Sequence, residues 1–179
     1  IGGTGKTPLT IKLSQIIEKL NYKTCVIKKY YKTQSDEQKL IKNNTKLYCF
    51  KKRIIALKEA IKDGISVALF DDGLQDGSIN YDIKFVCFNN AKGIGNGFII
   101  PAGPLREKIN NIIKYDAIFI NGAQKDNHNL IELLKKFNKD IKIFETFYEP
   151  INIEKFNRED KYLIFSGIGN PDTFKETLI

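Results

Sequence analysis

Short apolar runs rich in β-branched and aromatic residues recur along this chain, separated by stretches whose apolar positions fall three and four apart. The first kind reads as strand and the second as helix, and their alternation is the one-dimensional form of a mainly parallel sheet with crossover helices on both faces. Strands are predicted near 24–28, 46–49, 66–71, 83–88, 116–121, 141–147 and 161–165, and helices over about 8–20, 35–43, 52–63, 105–113, 127–138 and from 171 onward. The expectation is an α/β fold, and 179 residues suffice for one domain with a real core. Ligands of such sheets gather at the carboxyl ends of the strands, so the residues just after each strand are the ones to read for chemistry.

The chain opens on Ile1-Gly2-Gly3-Thr4-Gly5-Lys6-Thr7-Pro8 and runs into a helical pattern. Glycines let backbone amides close around phosphate oxygens, the Lys6 ammonium reaches terminal phosphates, and the Thr7 hydroxyl is of the kind that ligates Mg²⁺. Gly2, Gly3, Thr4, Gly5, Lys6 and Thr7 are therefore the candidate nucleotide-binding residues of a P-loop NTPase-like fold. A glycine-rich turn capping an ordinary helix is the plainer alternative, but the Gly-Lys-Thr ending adds a charge and a metal ligand that a turn does not need. The sequence starts inside the loop without Met and stops at Leu178-Ile179 in a helical pattern, so a fragment of a longer protein is expected.

The net charge of +8 favours anionic partners such as nucleotide, phosphorylated lipid, headgroups or nucleic acid, without choosing among them. Three well-separated cysteines in apolar surroundings, Cys25, Cys49 and Cys87, read as buried free thiols in a reducing cytoplasm. No run approaches the roughly 18 apolar residues of a spanning helix, and no signal peptide is visible. The clusters Lys28-Lys29 and Lys51-Lys52-Arg53 are read first as solvated surface, with phosphate contact at the strand ends as the alternative.

Two adjacent acids, Asp71-Asp72, follow the run Val67–Phe70 and are succeeded by Gly73-Leu74-Gln75. An acid at a strand end opposite a phosphate loop is where Mg²⁺ is held, while Asp-Gly is also a common turn pair. Ser35-Asp36-Glu37 reads both as a helix start with acids in its first turn and as a source of a carboxylate that takes a proton from an attacking hydroxyl. The segment 93–107 joins a glycine-rich loop to Pro101-Ala102-Gly103-Pro104 and the pair Arg106-Glu107, a density of special residues typical of functional loops. Phe165–Pro171 reads as a strand entering a glycine-rich turn at a helix start.

In this order these segments, with Asn121-Gly122, make the chain resemble the tetraacyldisaccharide 4'-kinase (lipid A 4'-kinase) family of Gram-negative bacteria nearly throughout. The phosphate loop is generic; Asp71-Asp72-Gly73-Leu74-Gln75 and Pro101–Glu107 are far more specific. The resemblance implies an ATP- and Mg²⁺-dependent kinase that phosphorylates the 4'-hydroxyl of an acylated glucosamine disaccharide 1-phosphate. Its place would be the cytoplasmic face of the inner membrane, whose anionic surface suits the basic charge. It further implies Asp36 as general base with Glu37 beside it, Lys6 on the phosphates, and Thr7, Asp71, Asp72 and Glu107 around the metal. Arg53 matches a substrate-side arginine more weakly, and Lys29 and Arg106 join Glu37 as substrate candidates.

The family's Ser-Arg-Gly-Tyr-Gly after the second strand is here Lys28-Lys29-Tyr30-Tyr31-Lys32, which keeps charge at Lys29 but loses the guanidinium fork and both glycines. The segment before Asp36 is shorter than usual, and Gln38 stands for a customary proline. The family's partner histidine is expected in a C-terminal lobe and its membrane-associated helix before Ile1; His128 is not assigned that role. The rival expectation is a partitioning-type P-loop ATPase switch acting on DNA or membrane, whose loops usually carry a lysine where Ile1 stands. Nothing resembles a recognition helix or a base-stacking aromatic strip, so no nucleic-acid partner is expected.

Overall fold

A computed structural model describes residues 3–122, 127–157, 159–165 and 175. The chain divides into two compact units, Gly5–Asp82 and Ile1–Thr4 with Ile83–Ile179. Both are α/β, and every strand pairing between their named strands is parallel.

The first unit runs α1 (Lys6–Lys19), β1 (Thr24–Lys29), a 3₁₀ turn (Lys32–Gln34), α2 (Ser35–Asn44), β2 (Leu47–Phe50), α3 (Arg53–Lys62) and β3 (Val67–Phe70). The strand order is β2-β1-β3, with Val26 beside both Leu47 and Leu69. Parallel neighbours need crossovers, and α2 and α3 supply them. The central strand is buried on both faces, which is why Cys25, Val26 and Ile27 are consecutive apolar residues rather than alternating with polar ones. Cys25 and Ile27 pack with Ala56 and Ala60 of α3, whose missing bulk lets that helix approach closely. Val26 points the other way, onto Ile11 of α1 and Ile41 of α2. Each fully buried isoleucine stabilises the unit by about 1.5–3 kcal/mol.

The second unit contains β4 (Phe85–Asn89), β5 (Ala117–Asn121), α4 (His128–Lys135) and β6 (Lys142–Thr146) in the order β4-β5-β6. Ile118 and Ile120 of β5 pack with Phe88, Ile112, Leu134 and Ile141 in one core. On the other face Phe119 stacks on Phe144 at 5.2 Å and meets Phe85 edge-on at 5.3 Å. Strands β4 and β5 end in neutral amides. Asn89 Oδ1 accepts from the Ala91 and Lys92 backbone amides at 3.1 Å each, and Asn121 donates to the Tyr148 hydroxyl at 3.1 Å.

Two expected elements differ. The helix over 105–113 shrinks to a 3₁₀ segment, Ile109–Lys114, because Asn110 and Asn111 are poor helix formers and Asn111 spends its amide on Glu107, at 2.8 Å. Residues 161–165 form no strand; they pair with no ladder among the described residues, and Leu163 and Phe165 are exposed. Residues 166–171 of the expected turn, and all of the following helix but Lys175, lie outside the described residues. Of the cysteines, all three are free; Cys25 is buried and the other two half-buried. Among the described residues no helix is long and apolar enough to cross a membrane.

Candidate active site

Gly3 and Gly5 take left-handed backbone conformations, φ 80° and 79°, that a side chain would strain, and Gly5 forms the N-cap of α1. Gly2 lies outside the described residues. Thr4, between the two glycines, is half-buried. No side-chain hydrogen bond caps α1 and its first turn holds no acid, a helix end whose amides and dipole suit an anion.

Across the unit, β3 ends in the turn that carries the two acids. Asp72 adopts φ 56°, unusual for a residue other than glycine, and the turn is clamped to hold it. Arg53 donates from Nη2 to the Asp72 carbonyl at 2.8 Å and lies 3.6 Å from Asp76, and the Tyr81 hydroxyl donates to the Gly73 carbonyl at 2.8 Å. A Cβ on Gly73 would come within 2.7 Å of Phe70 Cβ, so the turn admits only glycine there. Arg53 is buried, with its guanidinium turned into this clamp. Hydrogen bonds from Ser78, with Arg53 nearby, hold Asp76 below the usual carboxylate range.

The clamp delivers Asp71, only 1% exposed, to the start of α1. Thr7 Oγ1 donates to Asp71 Oδ2 at 3.0 Å, and Lys6 Nζ lies 3.8 Å from Asp72 Oδ1. Residues 64 positions apart in sequence thus meet. The second oxygen of Asp71 is buried without a hydrogen-bond partner. An orphaned carboxylate oxygen beside a threonine hydroxyl is a donor set suited to a hard dication, which keeps water and phosphate oxygens for its other positions. Among the described residues no three His, Cys, Asp or Glu side chains gather in a group that could hold a metal ion.

Lys28 corrects the sequence reading. Expected on the surface, it is 4% exposed, because it lies in the central strand, one residue before that strand's half-buried end at Lys29. Its Nζ donates at 2.7 Å to Asp71 Oδ2 and at 2.7 Å to Glu37 Oε2. Burial alone would lower its pKa, but the two charged hydrogen bonds outweigh burial and hold it above the ordinary lysine value. A lysine directly following the apolar residues Cys25–Ile27 of a central strand was the available signal, since such a charge must be paired inside. Its neighbour Lys29 is half-buried with Nζ 5.4 Å from the Tyr31 ring centre, whereas Lys51 and Lys52 are exposed as expected.

Asp36 and Glu37 lie in the first turn of α2, where acids oppose the helix dipole, with Gln34 rather than Ser35 at the N-cap. Ser35 Oγ is 3.4 Å from Asp36 Oδ1, and Asp36 is exposed. Glu37, not Asp36, is tied through Lys28 to Asp71. In the second unit Arg106 is exposed, and Glu107 accepts from Asn111 and from the Tyr115 hydroxyl. Burial first, and Glu107 second, push the Tyr115 phenol above its ordinary value. His128 sits 3.3 Å from Glu132 one turn along α4.

The family model for tetraacyldisaccharide-1-P 4'-kinase matches residues 1–179. A tetraacyldisaccharide 4'-kinase of Pelagibacter ubique is 51% identical over 178 residues, 99% of this chain and 57% of that protein. Proteins of the same description from Shewanella piezotolerans and Legionella pneumophila are each 28% identical, over 202 and 198 residues. The chain covers 99% of its own length in both matches, and 58% and 59% of theirs. It thus spans a little over half the length of the curated relatives it matches. From a match along its whole length, the chain belongs to the tetraacyldisaccharide-1-P 4'-kinase family.

Proposed function

We propose that this chain is the nucleotide-binding, catalytic part of a kinase that moves the γ-phosphoryl of ATP to the 4'-hydroxyl of tetraacyldisaccharide 1-phosphate in lipid A biosynthesis. The observation that carries the reading is the meeting of Thr7 with Asp71 at 3.0 Å, with Lys6 against Asp72 beside it. Gly2, Gly3, Thr4 and Gly5 contribute backbone amides to the phosphates, and Lys6 neutralises the oxygens on which charge builds as the phosphoryl leaves. Mg²⁺, when bound, supplies further neutralisation of the β- and γ-phosphate oxygens. Thr7 and Asp71 would hold it, with Asp72 as the outer acid. Glu107 is the remaining acid the family pattern adds, on the second unit.

Asp36 takes the proton of the 4'-hydroxyl as that oxygen forms its bond to γ-phosphorus. The bond from γ-phosphorus to the β-phosphate oxygen breaks, and ADP departs with the electron pair. Exposure suits this role, because Asp36 must meet a substrate rather than a neighbour. Glu37, through Lys28, anchors the helix turn that presents it. The setting we propose is the cytoplasmic face of the inner membrane, where the acceptor and the surface are both anionic.

The test is phosphate transfer from labelled ATP to the acylated disaccharide 1-phosphate by the full-length enzyme. Asp36→Ala is expected to bind ATP as before and to transfer at least about 10²-fold more slowly. Unchanged turnover removes Asp36 from the mechanism, and acceptor-independent hydrolysis stimulated by DNA overturns the kinase reading.

A further inference from the structure

A cavity of about 530 Å³ opens on the first unit where the end of β1, the 3₁₀ turn, one face of α2 and β2 meet. Its lining divides by chemistry. Tyr30, Tyr31 and Phe50 give it exposed aromatic surface, and Lys32, Lys39 and Lys42 give it cations; no acidic side chain lines it. Among the described residues none of these three lysines pairs with a carboxylate, whereas Lys28, Lys46 and Lys62 each do. The aromatic wall is mounted on fixed backbone: the Tyr30 amide donates to the Phe50 carbonyl at 2.9 Å, and Gln38 Nε2 donates to the Tyr31 carbonyl at 2.6 Å.

The cavity has a direction. Ser35, Gln38, Lys39 and Lys42 recur at spacings of three and four, so they share one face of α2, and Ser35 adjoins Asp36. From the turn bearing Asp36 to Lys42 the helix advances about 10 Å, a span comparable to two linked pyranose rings. Aromatic faces suit the C–H faces of sugar rings, and ammonium groups not already paired suit phosphate.

We propose that this groove seats the sugar phosphate of the acceptor. The distal ring would lie near Asp36, the rings along Tyr30, Tyr31 and Phe50, and the 1-phosphate toward Lys39 and Lys42. This rests on the kinase reading above and adds to it the residues that select a glycosyl phosphate.

The experiment compares the full-length wild type with Lys39→Ser/Lys42→Ser, exposed positions whose loss leaves the core intact. Initial rates are measured in mixed micelles with the tetraacyldisaccharide 1-phosphate and with the same lipid lacking its 1-phosphate. The double variant is expected to raise the acceptor KM about tenfold, as two screened ion pairs imply, with the ATP KM unchanged. The penalty should shrink to about twofold on the dephosphorylated lipid, and Lys39→Arg/Lys42→Arg should restore the wild-type KM. An equal penalty on both lipids overturns the proposal. So does a shift in the ATP KM instead, which would make the groove a nucleotide site, or a penalty seen only when anionic lipid is added, which would make it a membrane contact. Titration calorimetry with glucosamine 1-phosphate reads the groove without turnover. Binding that the serine variant weakens supports the assignment even if wild type transfers no phosphate, the result that sinks the kinase reading alone; absence of binding overturns the assignment.

Discussion

The two units share an architecture and differ in how their strands end. In the first, Lys28, the last but one residue of the central strand β1, is buried against Asp71 and Glu37, with Thr7 on the same carboxylate. In the second, the central strand β5 finishes in Asn121, whose amide is satisfied by Tyr148, while its neighbour β4 finishes in Asn89, closed on its own turn. Neutral amides satisfied by their own turn and by a tyrosine hydroxyl make a scaffold. In the first unit the charges leave one Asp71 carboxylate oxygen without a hydrogen-bond partner, the feature on which the proposed metal site rests. Parallel sheets expose their carboxyl edges in either case, so the chemistry lies in the few residues set there and not in the sheet.

The comparison is most exposed to a change at Lys6. Lys6→Ala should lower phosphate transfer by about 10³-fold and weaken ATP binding as well, because in the proposed mechanism its charge serves ground and transition states alike. A variant that keeps its rate would reduce the first unit's ionic edge to a structural one. Next comes Lys28→Met, which leaves Asp71 as a buried charge with no cation and should cost about 3 kcal/mol in urea unfolding. Adding Asp71→Asn to that variant should recover most of the loss, since two neutral side chains remove the imbalance. If the double variant is no more stable than Lys28→Met, the pair is not what holds the edge together.

Much of this was legible in the sequence where burial dictates composition. The continuous apolar runs of β1 and β5 gave their positions to within a residue or two, because a central parallel strand is covered on both faces. The approach of Asp71-Asp72 to the Gly5-Lys6-Thr7 segment could be foreseen, since acids that follow a strand lie at the carboxyl edge of the sheet. What the sequence hid are contacts made only by tertiary proximity. Arg53 reaches the Asp72 carbonyl from the start of α3, 19 residues away, and no local pattern marks that. The aromatic and basic groove along α2 draws on three separate segments, each of which alone reads as ordinary surface. Residues 161–165 failed in the opposite sense: β-rich composition was present, but no ladder among the described residues takes it up.

On the neutral side, Asn89→Ala removes an acceptor serving two backbone amides. It should lower stability by about 1–2 kcal/mol while leaving ATP affinity as it was. A loss of ATP affinity without loss of stability would break the contrast, since it would give the second unit's amide edge a part in binding.

The smallest effect tests how sharply the ionic edge of the first sheet is confined. Three residues before Lys28 on β1, Cys25 is fully buried, and that burial pushes its thiol from 9.0 up to about 11, against a weaker opposing pull from Lys46. Between those values the unfolded chain gives up the thiol proton while the folded chain keeps it, so the unfolded state binds fewer protons and stability falls as pH rises through that window. Below pH 9.0 the contribution is fully present, and at pH 7 the ionisation has no effect. Cys25→Ala should therefore show a constant small offset from wild type at neutral pH and a shallower decline between pH 9 and 11. Parallel declines would mean that water or charge reaches the middle of β1, and the separation between a dry strand and its charged end would be lost.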